Sequence, residues 1–356
     1  MSKLRVGVIF GGRSGEHEVS VASAAAIFKH LDPARYEAVP IRIDKQGRWQ
    51  LTASVPTALS AADVIKQGPS EALAPAEPSA LVSRGLDVVF PVLHGPYGED
   101  GTVQGLLELV NVPYVGAGVL ASAVGMDKHV MKMVFAAARL PVAPWITVLR
   151  HDWNRQQAVL LSRVTTELGY PVFVKPANLG SSVGISKARS EAEVAAAMTL
   201  ALQFDRKIVI EAAVPEAREI EVAVLGNDDP VASVPGEIVP SGEFYDYAAK
   251  YLDGASRELI PAPLTPVEAA EFQRLAIEAY TVADLTGMSR VDFLMSRTTG
   301  AIVLNEVNTI PGFTTISMYP KMWEASGLPY PKLLDRLIEL ALERHAAKQA
   351  LKTSIT

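Results

Sequence analysis

Apolar residues open the chain as a short uninterrupted run, which predicts a buried strand. The run covers residues 4–10 and is broken by Gly11-Gly12, because glycines punctuate regular elements. The next predicted elements are a small-residue helix and two further strands, at 19–30, 39–43 and 86–93. Strands that alternate with helices are typical of a parallel sheet. We therefore predict an α/β unit with a parallel sheet over residues 1–125.

The next stretch combines two predicted helices with two predicted strands. We predict that it forms a small α+β unit over residues 126–213. Its predicted helices lie at 130–138 and from 190 to about 204, and its predicted strands at 170–175 and 208–211. Ser190 and Glu193 have the spacing of a capping box, in which each side chain binds a backbone N–H at the helix start.

The last predicted unit covers residues 214–356. Its strands are predicted at 219–225 and as a pair at 291–295 and 301–306, and a final helix starts at about residue 331. Thr265 and Glu268 predict a second capping box, with Pro266 at the first helical position. Gly287 is predicted to end that helix.

Composition narrows the classes of function. The chain has 356 residues, more than one hydrophobic core usually serves. Its formal net charge of -6 argues against nucleic-acid binding, which needs a basic face, and no apolar run is long enough for a membrane span. The lack of cysteine excludes disulfides, thiolate–zinc sites and cysteine nucleophiles. No signal-like stretch precedes the first strand, so the cytoplasm is the expected compartment.

Three oxygen-bearing side chains fall on two predicted neighbouring strands. Asp292 lies in one strand, and Glu306 and Asn308 lie two apart in or just after the next, so that they face the same side. If the strands pair as a hairpin, the three side chains converge, and hard oxygens are what Mg²⁺ prefers. The alternative is a polar hairpin end with solvated carboxylates.

A lysine and a Gly/Ser loop predict a phosphate site in the middle of the chain. Lys175 ends a strand, and the segment 180–184 that follows can fold its backbone N–H groups over an anion. The chain lacks the phosphate loop G-x-x-x-x-G-K-[ST]. Taken alone, the Gly/Ser segment is better explained by a plain turn.

The loop after the first strand carries Glu16 at the start of a helix. Free backbone N–H groups make such a place favourable for an anionic ligand. The dinucleotide fingerprint G-x-G-x-x-G is absent, which makes a nicotinamide cofactor a poor interpretation. The alternative for Glu16 is that it only caps the helix.

Together these segments resemble the ATP-grasp fold. The resemblance rests on Phe173-Val-Lys175-Pro, Gly180-Ser-Ser-Val-Gly184, Arg290-Val-Asp292-Phe and Asn305-Glu306-Val-Asn308-Thr. It narrows to the D-alanine–D-alanine ligases through His94-Gly-Pro-Tyr-Gly-Glu-Asp-Gly101, Met126-Asp-Lys128 and Phe244-Tyr-Asp-Tyr-Ala-Ala-Lys250-Tyr251. It covers almost the whole chain in the family's order. It implies a three-domain ATP-grasp architecture, α/β and α+β, with an N-terminal parallel-sheet domain.

The resemblance implies a nucleotide site between the second and third units. Two Mg²⁺ ions, or Mn²⁺, would be held on the phosphates of ATP by Asp292, Glu306 and Asn308. The implied nucleotide contacts are Lys128 and Lys175 for the phosphates, Glu211 and Glu219 for the ribose, and the backbone of Ala212 and Val214 for the adenine. A lone lysine is otherwise a solvated side chain.

The resemblance also implies the sites for two D-alanines. Glu16 would bind the first ammonium and be oriented by Ser181 and Tyr251, with His94 near the first substrate. The remaining implied roles are an oxyanion site from Arg290 and the N–H of Gly312, and a grip on the second carboxylate from Lys250 and Ser317. Without the resemblance, His94 is a strand-end histidine and Ser317 a turn residue.

The implied reaction joins two D-alanines through D-alanyl phosphate, for peptidoglycan precursor synthesis. Residues 240–255 are implied as a lid that keeps water from this intermediate, and are otherwise a surface loop. Tyr251 favours an amine over a hydroxy acid as second substrate, and a homodimer is implied. Two alternatives stay open: another ATP-grasp ligase, and a non-catalytic nucleotide-binding protein that kept the fold.

Overall fold

The computed structural model describes residues 3–52, 55–67, 77–78, 85–240 and 256–352. Within these ranges no helix combines the length and the apolar character that crossing a membrane requires. Lys250 and Tyr251, with most of the predicted lid, lie outside the described residues. Three β-sheets organise the described chain, one for each predicted unit.

The N-terminal sheet is parallel apart from one edge strand. Its strands are β1 Leu4–Gly11, β2 Tyr36–Ile43, β3 Trp49–Leu51 and β4 Val88–Val92, in the order β3-β2-β1-β4. β1 pairs in parallel with β2 and β4, whereas β3 is antiparallel to β2. The helices of this unit are α1 His17–His30, α2 Ala61–Gln67, α3 Thr102–Leu109 and α4 Val119–Met126. Because β1 and β4 are parallel neighbours, the loops that follow them meet at one edge.

The central sheet is antiparallel, in the order β5-β8-β6-β7. Its strands are β5 Trp145–Leu149, β6 Val172–Pro176, β7 Ser186–Ala188 and β8 Lys207–Ala212. The helices of this predicted unit are α5 Lys128–Ala137, α6 Arg150–Arg163 with the π-helical turn Val164–Leu168, and α7 Glu191–Ala201. Ile146, Val174, Met198 and Ile210 belong to the apolar core between this sheet and its helices.

The C-terminal sheet has the order β12-β11-β9-β13-β14, with β10 paired to β9, and is antiparallel. Its strands are β9 Ala217–Gly226, β10 Val231–Ala232, β11 Gly236–Val239, β12 Arg257–Leu259, β13 Gly287–Ser296 and β14 Ile302–Asn308. The helices are α8 Pro266–Val282, α9 Met318–Ala325 and α10 Tyr330–Gln349. The predicted hairpin of 291–295 with 301–306 is confirmed by the β13–β14 pair.

Several helices contribute apolar residues to cores that they share with another predicted unit. Met131 and Phe135 of α5 belong to the apolar core of the C-terminal sheet. Leu337 of α10 belongs to a core that includes both Phe90 of β4 and Leu225 of β9. A fully buried side chain of this size contributes about 1.5–3 kcal/mol. These shared cores connect the three sheets, and the boundaries after residues 125 and 213 stay predictions.

One of the two predicted capping boxes is complete. At α8, Thr265 Oγ1 accepts from the N–H of Glu268 at 3.3 Å, and Glu268 Oε2 accepts from the N–H of Thr265 at 2.8 Å. At α7, Ser190 Oγ accepts from the N–H of Glu193, but Glu193 Oε2 accepts from the N–H of Arg189. The prediction for α7 is therefore wrong in its second half, because the carboxylate reaches one residue further back.

The predicted role of Gly287 as a helix end is wrong. α8 already ends at Val282, and Gly287 is the first residue of β13. Its φ of 73° is left-handed, and a Cβ there would lie 3.1 Å from backbone atoms of Gly116. The glycine is thus needed for a close approach between two backbones.

Candidate active site

The β13–β14 hairpin brings the three predicted metal ligands together. Asp292 lies opposite Glu306 in the register, and Asn308 Nδ2 donates to Asp292 Oδ2 at 2.9 Å. The side chains of Asp292 and Glu306 are only 13% and 26% exposed. A freely solvated hairpin end would expose both carboxylates, so that alternative does not fit.

Arg290, the predicted oxyanion donor, is held by carboxylates on two strands. Its Nε and Nη2 each donate to Asp292 at 2.7 Å, and its Nε lies 3.1 Å from Glu221 Oε2 on β9. A guanidinium bound by two carboxylates has little freedom to rotate. The hairpin therefore fixes a positive charge beside the predicted metal ligands.

A cleft between the central and C-terminal sheets holds the predicted nucleotide residues, and we name it the Lys175 cavity. Its lining includes Lys128, Lys132, Lys175, Glu211, Ala212, Val214, Glu219, Glu221, Asp292 and Glu306. Lys175 Nζ pairs with Glu211 Oε1 and donates to Asn305 Oδ1 at 3.2 Å. Burial lowers the pKa of Lys175, but Glu211 and Glu306 outweigh it, so the pKa lies above its usual value. Lys175 is therefore a permanent positive charge.

Lys132 is a functional candidate that the sequence analysis missed. Its side chain is 2% exposed, and its Nζ lies 2.9 Å from Glu211 Oε2. Burial disfavours ionised Glu211, yet Lys175 and then Lys132 outweigh it and hold its pKa at about 2. The signal was available, because Lys132 follows Lys128 by four residues on α5, and such residues share a helix face.

Lys128 connects the Gly/Ser segment to the metal-ligand hairpin. Its Nζ donates to Leu179 O at 2.7 Å and lies 3.7 Å from Glu306 Oε2. α5 starts at this residue because the Asp127 side chain accepts from the N–H groups of His129 and Val130, a regular N-cap. The solvated-lysine alternative is wrong for both Lys128 and Lys175, which are buried.

Two backbone N–H groups of the predicted adenine segment are used in hydrogen bonds within the fold. The N–H of Ala212 donates to Pro144 O, and the N–H of Ala213 donates to Pro171 O, both at 3.0 Å. A backbone contact from Ala212 to a ligand therefore has to come from its carbonyl oxygen. Val214 and Glu219 also line the Lys175 cavity.

A second cleft, the Ser317 cavity, joins the first. Its lining includes Glu16, His94, Glu99, Ser181, Arg290, Asn308, Ile310, Gly312, Thr314 and Ser317. Both cavities are also lined by Lys128, Leu179, Gly180, Ser181, Glu221 and Glu306. The two clefts therefore adjoin along these six residues.

Glu16 sits where the N-terminal and central units meet. Its Oε1 accepts a hydrogen bond from Ser181 Oγ, as the resemblance implies. A Cβ at Gly95 or at Gly180 would lie 2.8 Å from Glu16 Oε2, so both backbones approach the carboxylate closely. Glu16 makes no side-chain cap hydrogen bond at α1. The helix-cap alternative is therefore wrong.

The motif after β4 grips the backbone of the loop that follows β14. His94 Nδ1 bonds Ile310 O at 3.0 Å, and Glu99 Oε1 accepts from the N–H of Ile310 at 3.1 Å. Burial lowers the pKa of His94, and its Nε2 has no hydrogen-bond partner among the described residues. Glu99 belongs to the motif at 94–101. Its contact with Ile310 was not predicted, because the two residues are 211 positions apart in the chain.

The loop from Ile310 to Ser317 is built around a close contact at Gly312. Ser317 Oγ accepts from the N–H of Thr314 at 3.0 Å, and a Cβ at Gly312 would lie 2.7 Å from Ser317 Oγ. The glycine is required for this packing. Gly312 and Ser317 both line the Ser317 cavity beside Arg290.

Comparison with known proteins identifies the architecture. Residues 5–117 match the model of the D-ala D-ala ligase N-terminus, and residues 134–339 match that of the D-ala D-ala ligase C-terminus. The chain belongs to the D-alanine–D-alanine ligase family. The predicted fold class is thereby confirmed, including the three sheets of the ATP-grasp architecture.

Individual members of the D-alanine–D-alanine ligase family are similar over nearly their full length. A D-alanine–D-alanine ligase from Heliobacterium modesticaldum is 52% identical over 98% of this chain and 97% of the relative. The solved D-alanine-D-alanine ligase from Coxiella burnetii is 41% identical, with a TM-score of 0.83 over 98% of this chain and 97% of its own. The VanG D-Ala:D-Ser ligase from Enterococcus faecalis is 34% identical, with a TM-score of 0.82 over 96% and 100%.

Proposed function

We propose that the chain ligates two D-alanine molecules to D-alanyl-D-alanine, with ATP converted to ADP and phosphate, for peptidoglycan precursor synthesis. The observation that supports this most is the continuity of the two cavities. Six residues line both, so a phosphate in the Lys175 cavity is adjacent to a carboxylate in the Ser317 cavity. A ligase that activates a carboxylate with ATP needs this adjacency.

In the first step a carboxylate oxygen of the first D-alanine attacks the γ-phosphorus of ATP, and ADP leaves. Lys128 and Lys175 offset the negative charge of the phosphates. Glu16 binds the ammonium of this D-alanine, and the Ser181 hydrogen bond holds the Glu16 carboxylate in place. His94 lies near this substrate, and its imidazole is neutral because burial lowers its pKa.

In the second step the amine of the second D-alanine attacks the acyl carbon of D-alanyl phosphate. The C–N bond forms, an amine proton is lost, and phosphate leaves with the former carboxylate oxygen. Arg290 and the N–H of Gly312 stabilise the charge on the remaining carbonyl oxygen. Ser317 grips the second carboxylate, and Lys250 joins it there. Residues 240–255 cover the intermediate, and Tyr251 helps to orient Glu16.

Asp292, Glu306 and Asn308 fit Mg²⁺, and we propose that they hold two such ions, with Mn²⁺ as a substitute. Among the described residues no group of three or more His, Asp or Glu side chains is placed to hold a metal. Two carboxylates and one amide suit a hard cation that takes its other ligands from phosphates and water. Bound there, the ions neutralise phosphate charge that would repel the attacking carboxylate.

The nucleotide occupies the Lys175 cavity, with its adenine against the segment that contains Ala212 and Val214. The carbonyl oxygen of Ala212 is the available acceptor, since its N–H is used within the fold. Glu219 binds the ribose. Glu211 lines the same cavity, but both of its carboxylate oxygens face lysines, so we assign it less weight as a ribose ligand than Glu219.

Product analysis tests the proposed function. The purified chain is incubated with ATP, Mg²⁺ and D-alanine, and separately with L-alanine, and ADP and dipeptide are measured. We expect ADP and D-alanyl-D-alanine in equal amounts with D-alanine, and neither with L-alanine. ADP release with a different carboxylate–amine pair supports another ATP-grasp ligase. Nucleotide binding without turnover on D-alanine supports a non-catalytic protein.

The second substrate is tested by competition. D-alanine, D-serine and D-lactate are offered together, since one similar structure is named a D-Ala:D-Ser ligase. We expect an amide, D-alanyl-D-alanine, as the main product at neutral pH and no ester, because Tyr251 favours an amine. D-alanyl-D-serine as the main product would contradict D-alanine as the second substrate. A main product with an ester bond would overturn this assignment. We also propose a cytoplasmic homodimer, and a solution mass near 38.1 kDa, that of one chain, would contradict the dimer.

A further inference from the structure

Three charged side chains form a buried row in the Lys175 cavity. Lys132 and Lys175 contact opposite oxygens of Glu211, the first at 2.9 Å. The three side chains are 2%, 11% and 4% exposed, in the order Lys132, Lys175, Glu211. Water therefore screens their charges poorly, and the balance among the three decides the local potential.

The row carries one net positive charge. Two ammoniums face one carboxylate, and the low pKa of Glu211 together with the raised pKa of Lys175 keeps that pair ionised. Without Lys132, Glu211 and Lys175 would form a neutral pair. Lys175 would then be tied to a carboxylate whose charge no other residue of the row offsets.

Lys132 itself is placed to act through Glu211. Its Nζ is also 5.8 Å from the ring centroid of Trp145, so the ammonium lies between an aromatic ring and the carboxylate. The Lys175 ammonium, in contrast, also reaches Asn305 and is near Glu306, at the edge where the metal ligands lie. Their positions in the row therefore differ: Lys132 supports Glu211, and Lys175 lies on the side of the proposed phosphates.

We infer that Lys132 is a positioning residue for nucleotide binding, which neutralises Glu211 and so leaves the charge of Lys175 for the phosphates of ATP. This inference rests on the proposed function, because it takes the Lys175 cavity as the nucleotide site. It assigns Glu211 to charge balance between two lysines. It also gives Lys128 and Lys132, four residues apart on α5, distinct tasks.

Three variants test the inference: one removes the charge of Lys132, one keeps it, and one restores the net charge of the row. The dissociation constant of ATP with Mg²⁺ is measured by calorimetry without D-alanine, for the unmodified chain, K132M, K132R and K132M/E211Q. We expect K132M to weaken ATP binding about tenfold, as loss of one nearby charge in a poorly screened site does. K132R keeps the charge and stays within about threefold of the unmodified chain.

The double variant separates charge balance from a packing role. K132M/E211Q restores one net positive charge, so we expect it to bind ATP at least about threefold more tightly than K132M. A merely structural lysine predicts that the double variant binds no better than K132M. Equal ATP binding by folded K132M and the unmodified chain would also overturn the inference. If K132M does not fold, K132R carries the test with its threefold threshold.

K348M is the matched control. Lys348 on α10 pairs with Glu108, and neither residue lines the two cavities, so ATP binding should not change. Failure of the proposed function gives a different result from failure of this inference. An unmodified chain that binds ATP but makes no dipeptide from D-alanine contradicts the function, whereas the binding series alone decides the role of Lys132.

Discussion

The Lys175 cavity and the Ser317 cavity are built by different means. The first lies between two antiparallel sheets, and strand register places its charged side chains, as at the opposed Asp292 and Glu306. The second is built by loops from all three units, and glycine backbones press against its key groups, Glu16 and Ser317. Charge pairing governs the first cavity, and close backbone approach governs the second.

This difference indicates which changes each cavity tolerates. In the Lys175 cavity an isosteric change of charge should greatly reduce activity, whereas the two sheets should accommodate a small change of side-chain shape. In the Ser317 cavity an added methyl group should be severe, because interiors at close-packed density cannot absorb it. The following predictions test this contrast.

The largest effect is expected from E306Q in the Lys175 cavity. The change removes a metal-ligand charge but keeps the shape, so we expect kcat/KM to fall about 1,000-fold. The measurement is ADP release at saturating Mg²⁺. E278Q, a change at a half-exposed carboxylate on α8 that pairs with Arg274, is the control and should be close to neutral. A loss below tenfold for E306Q would break the assignment of this cavity to the metal and phosphates.

The next effect is expected from G312A in the Ser317 cavity. The new Cβ would lie 2.7 Å from Ser317 Oγ and displace the oxyanion donor, so we expect kcat to fall about 100-fold. G105A on α3, where a Cβ meets nothing within 4 Å, should keep full activity.

Removing Ser317 Oγ, the atom that a Cβ at position 312 would clash with, tests whether the clash causes the loss of activity. If the steric contact causes the loss, G312A/S317A should be no less active than S317A. A double variant much weaker than S317A would show that the methyl group acts in another way.

Sequence patterns predicted the cavity made by strands better than the cavity made by loops. Spacing alone placed Asp292, Glu306 and Asn308 on one hairpin, because alternation along a strand fixes the face of each side chain. Lys132 was missed although its spacing was visible, since only the fold shows that a lysine is buried against Glu211.

The loop cavity depended on the resemblance. Nothing local in the sequence links Glu16 to Ser181 or Glu99 to Ile310, because each pair comes from distant parts of the chain. The same limit explains Gly287, which local rules read as a helix end and which the fold uses for contact with Gly116. Long-range packing decides such positions, and local propensity cannot.

A smaller effect is expected from S181A. Loss of the hydroxyl frees the Glu16 carboxylate, so we expect the KM of the first D-alanine to rise about tenfold while the KM of ATP changes less than threefold. Steady-state ADP release with each substrate varied in turn gives both values. An equal rise in both would show that Ser181 serves the two cavities alike.

A pH dependence of stability is also expected, from Glu99. Burial, and then the nearby Glu16, raise the pKa of Glu99 to about 8. A raised carboxyl pKa stabilises the fold below pH 4.5, and this stabilisation is lost as the pH rises through about 8. E99Q removes the titration, so the Tm of the unmodified chain should fall relative to that of E99Q between pH 5 and 9. Parallel Tm curves would contradict this expectation.

The central claim is that a carboxylate in the Ser317 cavity is activated by a phosphate from the Lys175 cavity. The most direct test uses D-alanine labelled with ¹⁸O in both carboxylate oxygens, with ATP and Mg²⁺, followed by mass spectrometry of the released phosphate. If the claim is right, each dipeptide formed releases one phosphate that carries one ¹⁸O atom. Dipeptide formation with unlabelled phosphate would contradict it.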